Sequence, residues 1–213
     1  MDQLISIRPL LAVLVSLCVI PVLISASNRP NVREAWTFLA GAVKFFLVIS
    51  MLPAVLQGQE IVYTLVEIAP GAALSFRVDG LGMLFALVAS FLWLPTSLYS
   101  IGYMRGLKEH GQTRYFSFFA LALSATIGVA FSANLLTLYL FYEVLSLATY
   151  PLVTHHQDRE ARISGRKYLI FILGTSIGLV LPAMLFCYHL TGTLEFSTLG
   201  IFEGQLSKPA LTV

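Results

Sequence analysis

A carboxylate, Glu143, lies inside the apolar segment NLLTLYLFYEVLSLATYPLV, residues 134–153. On a helix, Tyr139, Ser146 and Tyr150 share a ridge with Glu143, because they precede or follow it by whole helical turns. The other faces carry mostly Leu, Phe, Val and Ala. Carboxylates inside a membrane usually mark ion or proton pathways. The pattern therefore favours a proton-exchange site. The alternative is a structural glutamate that is hydrogen-bonded to a tyrosine or to the backbone.

The depth of Glu143 strengthens this interpretation. It is about nine or ten residues from either end of the segment, which at about 1.5 Å per residue places it roughly 14 Å deep. An ionised carboxylate at that depth costs several kcal/mol unless it is paired or hydrated. Burial favours its neutral form and a nearby cation favours its charged form. We therefore expect the protonation of Glu143 to respond to its surroundings.

Two lysines are further pathway candidates. Lys167 begins the apolar run within ISGRKYLIFILGTSIG, and helical spacing places Gly174 and Gly178 on its face. A Gly-x-x-x-Gly pattern is typical of close helix packing, so we expect Lys167 to face neighbouring helices. The alternative is an ordinary interfacial lysine. Lys44 lies well inside another apolar segment. It could serve as a counter-charge within the bundle, or its long side chain could extend toward the membrane interface.

The histidines and cysteines give weaker signals. His155 and His156 adjoin the polar stretch QDREAR, but adjacent histidines lack the i, i+4 spacing typical of a metal site on a helix. We expect interfacial packing, with proton uptake as the alternative. Cys18 and Cys187 have no CxxC or Cys/His spacing, so neither a disulfide, a metal nor a cofactor is predicted. A membrane enzyme with a metal at His155, His156 and Asp158 is a rival interpretation.

Composition shows which elements must position these side chains. The 213 residues are 57% hydrophobic and 11% charged, which excludes an ordinary water-soluble core and makes the lipid bilayer, not nucleic acid, the expected partner. A membrane-spanning helix takes roughly 20 apolar residues, whereas barrel strands alternate over about ten. We predict an all-α polytopic membrane protein forming one transmembrane domain over 1–213. The predicted spans are about 5–24, 35–56, 80–101, 115–132, 134–153 and 167–190.

One connection between the spans has a different pattern. Residues 58–80, GQEIVYTLVEIAPGAALSFRVDG, alternate apolar and polar side chains on both sides of Pro70-Gly71. Alternation interrupted by Pro-Gly is typical of two strands and a turn. We predict a short external β-hairpin between the second and third spans.

The basic residues predict the orientation in the membrane. The loops after the first, third and fifth spans carry Arg29, Arg33, Arg105, Lys108, Arg114, Arg159, Arg162, Arg166 and Lys167. The opposite side has Arg8, Arg77 and Lys208 among the acidic residues Asp2, Glu60, Glu67, Asp79, Glu195 and Glu203. By the positive-inside rule, the basic loops face the cytoplasm and both termini face the outer side of a cell inner membrane. We expect these basic residues to set topology and contact lipid headgroups.

Several stretches together resemble a known family. YSIGYM, the whole segment around Glu143, RKYLIFILGTS and CYHLTGT are similar to the antiporter-like membrane subunits of respiratory complex I, membrane-bound hydrogenases and Mrp-type cation/proton antiporters. The resemblance covers about residues 76–195. The segment FYEVLSLATYPLV, followed by REARISGRKYL, is most similar to the D-type branch of the Mrp subunits.

The resemblance implies proton translocation, alone or in exchange for Na⁺, through buried ionisable residues and water. Glu143 occupies the position of the central glutamate in the fifth span, and Lys167 matches a lysine at the start of the sixth. The implied partners are other membrane subunits, and any redox chemistry belongs to them. A structural or assembly subunit without its own ion pathway is the rival. Family members have about fourteen spans in two inverted repeats, so a truncated or split reading frame is expected here.

Overall fold

The computed structural model describes residues 3–197 and residue 200. In chain order the elements are β1 (Gln3–Ile5), α1 (Arg8–Ser25), α2 (Pro30–Ile49), α3 (Leu52–Leu56), β2 (Glu60–Ala69), β3 (Ala72–Val78), α4 (Gly80–Gly106), α5 (Gln112–Ala130), α6 (Leu135–Val153), α7 (Arg159–Thr175) and α8 (Leu181–Thr191). A π-helical turn, Ser176–Val180, joins α7 to α8. Among the described residues, six helical segments are long and apolar enough to cross a membrane, which confirms the predicted fold class. Asp2, Glu203 and Lys208, used for the orientation, lie outside the described residues.

Two spans begin at least five residues earlier than the apolar pattern suggested, at 30 instead of 35 and at 159 instead of 167. The second starts at Pro30 and is interrupted between Ile49 and Leu52, and the sixth starts at Arg159. Proline at the first helical position has its φ preset for a helix. The Asp158 carboxylate caps α7 by accepting a hydrogen bond from the backbone N–H of Ala161 at 2.6 Å. Proline at the start of α2 and the Asp158 cap of α7 therefore extend these helices into polar sequence that hydropathy alone assigns to loops.

The predicted hairpin is present. Strands β2 and β3 pair antiparallel, from Ile61 opposite Val78 to Ala69 opposite Ala72. The turn between them needs glycine, because Gly71 has a φ of +73° and a Cβ there would overlap the carbonyl oxygen of Gly192.

A third strand was not predicted. β1 pairs parallel with β2, with Leu4 opposite Ile61. Three residues are too few to show an alternating pattern, so only the fold reveals this pairing. At the other end of the described chain, the N–H of Leu194 donates to the carbonyl of Gly71 at 2.9 Å. Both ends of the described chain therefore lie at the hairpin end of the bundle. The face of the membrane that this end occupies stays a prediction.

Helix α5 lies in the middle of the bundle, because small side chains let its neighbours approach closely. The ridge formed by Ala120, Ser124 and Gly128 is buried. The Ser124 hydroxyl donates to the carbonyl oxygen of Val13 in α1 at 2.8 Å. At Gly128 a Cβ would overlap the ring of Phe141 in α6. This ridge therefore fixes the separations of α1, α5 and α6.

Replacing Gly128 by Ala should destabilise the bundle by about 1 to 3 kcal/mol, the usual cost of overpacking a core. The Phe141 ring has little room to move, because it already packs on Phe76 with ring centroids 5.7 Å apart. Gly102→Ala is the matched control, since a Cβ at Gly102 meets open space. Thermal unfolding in detergent measures both variants. Equal stability of the two would contradict the close α5–α6 contact.

Candidate functional site

The ridge of α6 that carries Glu143 faces the sixth span at three levels. Tyr139 is buried in a cluster with Met184 of α8. Glu143 accepts a hydrogen bond from the hydroxyl of Ser176. The ring of Tyr150 lies 2.9 Å from where a Cβ on Gly165 would stand. The ridge predicted from helical spacing is therefore the surface against which α7 and α8 pack.

The fourth residue of the ridge, Ser146, is buried and directed to its own helix. Its hydroxyl donates to the carbonyl oxygen of Tyr142 at 2.9 Å. Close by, the hydroxyls of Thr149 and Tyr168 lie 2.6 Å apart and link α6 to α7. Hydroxyl groups thus continue from the level of Glu143 toward the end of the bundle where α6 and α7 are joined.

Ser176 is a functional candidate that sequence reasoning missed. It is buried and is the first residue of the π-helical turn, while Glu143 is half-buried. Pro182 has no N–H to donate to the carbonyl of Gly178, and the turn lies just before it. Single π-helical turns inside α-helices occur frequently at functional sites. The available signal was the polar pair Thr175-Ser176 in the middle of an apolar span.

The structure does not bring Lys167 to this site. Its side chain is exposed, and it lies roughly 14 Å along the helix axis from Ser176, at about 1.5 Å per residue. Gly174 and Gly178 are exposed as well, with open space where a Cβ would stand. The expected packing of this face against neighbouring helices is therefore not observed among the described residues. Most of α7 and α8 presents apolar side chains outward.

Lys44 is fully buried between α1, α4 and α5. Its Nζ donates to the Ser16 hydroxyl at 2.5 Å and to the carbonyl oxygen of Leu123 at 3.2 Å, and it lies 5.2 Å from the centroid of the Trp93 ring. The stem does not extend to the interface. Within the described residues Lys44 forms no salt bridge, so the expected counter-charge pairing is absent there. The polar partners of its amine are neutral groups and an aromatic face.

Two arginines predicted to set topology also hold helix ends together. The Glu34 carboxylate, with 8% of its side chain exposed, accepts hydrogen bonds from Arg105 Nε at 2.8 Å and Nη2 at 2.5 Å. Arg33, predicted to lie in a loop, is buried in α2, with Nη2 3.5 Å from Glu34. It also donates to the side chains of Gln112 and Thr113 at 2.7 and 3.0 Å. This network connects α2 to α4 and α5 at the end of the bundle opposite the hairpin.

His155 and His156 lie at the same end, beside the α4–α5 loop. The His155 ring is 5.1 Å from the His110 ring, centroid to centroid, and its Nε2 is 3.8 Å from a carboxylate oxygen of Glu109. Burial, reinforced by nearby Arg114, lowers the pKa of His155 below its ordinary value. The contacts of His155 are thus partly those of a side chain packed between two loops. Asp158, by contrast, is used as the α7 cap and is not a member of this cluster.

Two family descriptions match the sequence. Residues 132–212 match "NADH:quinone oxidoreductase/Mrp antiporter, TM", and residues 71–116 match "NADH-Ubiquinone oxidoreductase (complex I), chain 5 N-terminus". The first of these matches contains Glu143, Ser176 and Lys167.

Curated relatives include Na(+)/H(+) antiporter subunits A1 of Staphylococcus aureus. One is 30% identical over 191 residues, covering 84% of this chain and 23% of the relative. Another is 30% identical over 179 residues, covering 79% and 22%. The chain therefore spans less than a quarter of the length of these relatives. Since they are A-type subunits, the similarity to the D-type branch stays a prediction.

Solved structures show the same fold. A chain of the Mrp complex from Dietzia sp. DQ12-45-1b superposes with a TM-score of 0.73 and 21% identity, covering 89% of this chain and 36% of that one. A chain of the membrane-bound sulfane sulfur reductase (MBS), an archaeal respiratory membrane complex, gives 0.72 and 18%, covering 88% and 37%. At these identities the likeness establishes the fold and no more.

Proposed function

Because the chain belongs to the antiporter-like membrane subunit family of NADH:quinone oxidoreductases and Mrp antiporters, we propose that it translocates protons, alone or in exchange for Na⁺, as the N-terminal part of such a subunit. The observation that carries this proposal is the hydrogen bond from Ser176 to the mid-span carboxylate of Glu143. It places a titratable group at an irregular turn of the adjoining span. Hydrogen-bonding groups there can accommodate either protonation state.

In this mechanism Glu143 binds and releases the proton. The hydroxyl of Ser176 donates to the charged carboxylate and can accept from the protonated one, so the contact survives a change of protonation. Lys167 would bias the charge of Glu143 from the end of the span, through water or intermediate groups.

The remaining ridge residues supply a route. Tyr139 lies beyond Glu143 toward the hairpin end, and Ser146 and Tyr150 lie toward the opposite end. His155 and His156 follow at that end and would exchange protons with the aqueous phase. Hydroxyl and imidazole groups both donate and accept, which a relay of protons requires.

The proposed setting is the inner membrane of the cell, with both termini on the outer side and other membrane subunits as partners. The exposed surface of the sixth span supports such partners. Large apolar side chains such as Phe171, Leu179 and Phe186 are exposed there, beside Gly174 and Gly178. A bare Gly-x-x-x-Gly face permits close approach of another helix. Further helices of the same subunit or of its complex would cover it.

The test compares Glu143→Gln with the wild type in the full-length homologous subunit, assembled in its complex. Proton movement into membrane vesicles is followed with a pH-sensitive dye, and native gels measure the amount of assembled complex. Loss of proton movement with normal assembly supports translocation through Glu143. Normal movement per assembled complex, or a defect in assembly alone, supports the alternative of a structural subunit without its own pathway.

Lys44 belongs to the pathway as a second buried titratable group, and Lys44→Met tests this. Methionine fills a similar volume without a charge, so packing against Trp93 should persist. We expect proton movement per assembled complex to fall severalfold while thermal stability changes by less than about 1.5 kcal/mol. Lys108→Met is the control, since it removes the same charge from an exposed loop position. Unchanged transport in Lys44→Met would assign Lys44 to packing alone.

A further inference from the structure

Two loops bring a carboxylate and three imidazoles together at the end of the bundle opposite the hairpin. Glu109 and His110 lie between α4 and α5, and His155 and His156 follow α6. The donor atoms of Glu109, His110 and His156 all lie within 4.8 Å of one another. These four residues form what we call the histidine cluster. It is distinct from the Glu143–Ser176 contact in the membrane-spanning part.

The fourth member of the histidine cluster is His155, whose ring nitrogens are available to a ligand. His155 Nε2 is 3.8 Å from the same Glu109 oxygen that lies 3.8 Å from His110 Nδ1. Both ring nitrogens of His155 are buried and form no hydrogen bond within the described part of the chain. Buried polar groups are normally satisfied, so an imidazole with two unsatisfied nitrogens requires an explanation. A bound ligand for these nitrogens is one such explanation.

The backbone around the histidine cluster is held in place on both sides. The side chain of Gln112 donates to the carbonyl oxygens of Met104 and Glu109 at 3.1 and 3.2 Å, which fixes the α4–α5 loop. Arg114 Nη2 donates to the carbonyl oxygen of His155 at 2.6 Å and ties the second loop to α5. The donors are thus mounted on two loops that are fixed to the same helix.

Both negative and positive charges surround the histidine cluster. Helices α4 and α6 end just before the two loops, at Gly106 and Val153, and the partial negative charge of a helix C-terminus favours a cation. Arg114 is the opposing charge, and its guanidinium is engaged with a backbone carbonyl. Glu109 supplies a carboxylate for charge compensation.

We propose that the histidine cluster binds a divalent transition-metal ion, with Zn²⁺ the best match. Imidazole nitrogens and a carboxylate are the ligands Zn²⁺ takes in proteins, in tetrahedral geometry at about 2.0 to 2.1 Å. Ligand atoms around such an ion stand about 3.3 Å apart. The exposed His110 and His156 side chains would rotate to bring their nitrogens to this spacing. Glu109, His110 and His156 provide three ligands, and His155 is placed for the fourth.

Space for the ion and for these rotations is present. The rings of His155 and His156 border a cavity of about 400 Å³ that is also lined by Glu109, Tyr99, Tyr103 and Tyr115. The cavity opens to the surface of the molecule, so an ion reaches it without unfolding. Zn²⁺ binding here does not depend on ion translocation through Glu143. A bound ion would occupy the ring nitrogens of His155 and His156 and so block proton exchange at these two residues.

The test titrates the purified protein in detergent with ZnCl₂ and follows heat release and thermal unfolding. We expect one tightly bound ion per chain and a rise in the unfolding temperature, with MgCl₂ giving neither. His110→Gln and His156→Gln should each weaken Zn²⁺ binding by at least about tenfold, since even groups that only orient ligands contribute about 10- to 100-fold. His189→Gln is the control, because His189 lies near the hairpin end of α8.

A second readout uses Co²⁺ as the probe, whose visible absorption reports tetrahedral coordination by imidazole. Both substituted histidines are exposed, so their variants should keep the helical content measured by circular dichroism. No saturable binding of Zn²⁺ to the wild type would overturn the proposal. Binding that His110→Gln and His156→Gln leave unchanged would overturn it equally.

Discussion

Glu143→Gln should reduce proton translocation per assembled complex to the level of vesicles that lack the complex. Glutamine keeps the shape of glutamate, and its amide oxygen can still accept the hydrogen bond from Ser176. It cannot bind or release a proton, so the exchange step disappears while packing against the sixth span is retained. Dye quenching in vesicles measures the loss, and native gels confirm equal assembly.

Two further variants separate the charge of Glu143 from its position. Glu143→Asp keeps a titratable group but shortens the side chain, so transport should be partial. Ser176→Ala removes a hydrogen bond to a charged group, worth about 1.5 to 3 kcal/mol, and should also give an intermediate rate. We expect transport to be fastest in the wild type, slower in Glu143→Asp and Ser176→Ala, and absent in Glu143→Gln. Wild-type transport in Glu143→Gln would sink the proposed pathway.

Glu34→Ala should give the largest loss of stability, about 3 kcal/mol, the lower end of the range for an ion pair that loses one buried partner. The loss stays at this end because 44% of the Arg105 side chain is exposed. The substitution leaves Arg33, with 5% of its side chain exposed, next to Arg105 without the carboxylate that offsets their charges. The ends of α2, α4 and α5 then lose their connection. Thermal or chemical unfolding in mixed micelles measures the change.

The matched control for Glu34→Ala is Glu67→Ala on the exposed part of β2. Removing this surface carboxylate should alter the free energy of unfolding by less than about 0.5 kcal/mol. Glu34→Gln should fall between the two, because it keeps hydrogen-bond acceptance and loses the charge. If Glu34→Ala lowers the free energy of unfolding no more than Glu67→Ala does, the network of Glu34, Arg33 and Arg105 does not stabilise the fold. Only the predicted role of Arg33 and Arg105 in topology and lipid headgroup contact would then remain.

Local patterns were sufficient for the spans, the hairpin and the ridge of Glu143. A span needs roughly 20 apolar residues, a strand pair alternates on each side of Pro-Gly, and a helical ridge repeats every three or four residues. Each of these signals is contained in one short stretch. The exposed Lys167 shows where such reasoning ends, since a helical face can be recognised in sequence without knowing which surface covers it.

Contacts between distant segments were decided by the tertiary structure. The third strand β1, the pairing of Glu34 with Arg105 and the approach of His110 to His155 all join residues that no local period relates. The same holds for Lys44, whose partners come from α1 and α5. Helix packing sets these distances through small residues such as Gly128, and a hydropathy pattern contains no information about which small residue meets which ring.

The sequence by itself thus determined that a carboxylate lies on a polar ridge near the middle of an apolar segment long enough to span a membrane. Hydrophobic length and helical spacing are properties of a single segment. Only the tertiary structure decided what that ridge faces, the buried Ser176 at the π-helical turn. It also gathered Glu109 and three histidines from two loops into one cluster. The physical reason is that the chemistry of a side chain is a property of one residue. The surroundings that give it a function come from helices that are far apart in the sequence and pack together in the fold.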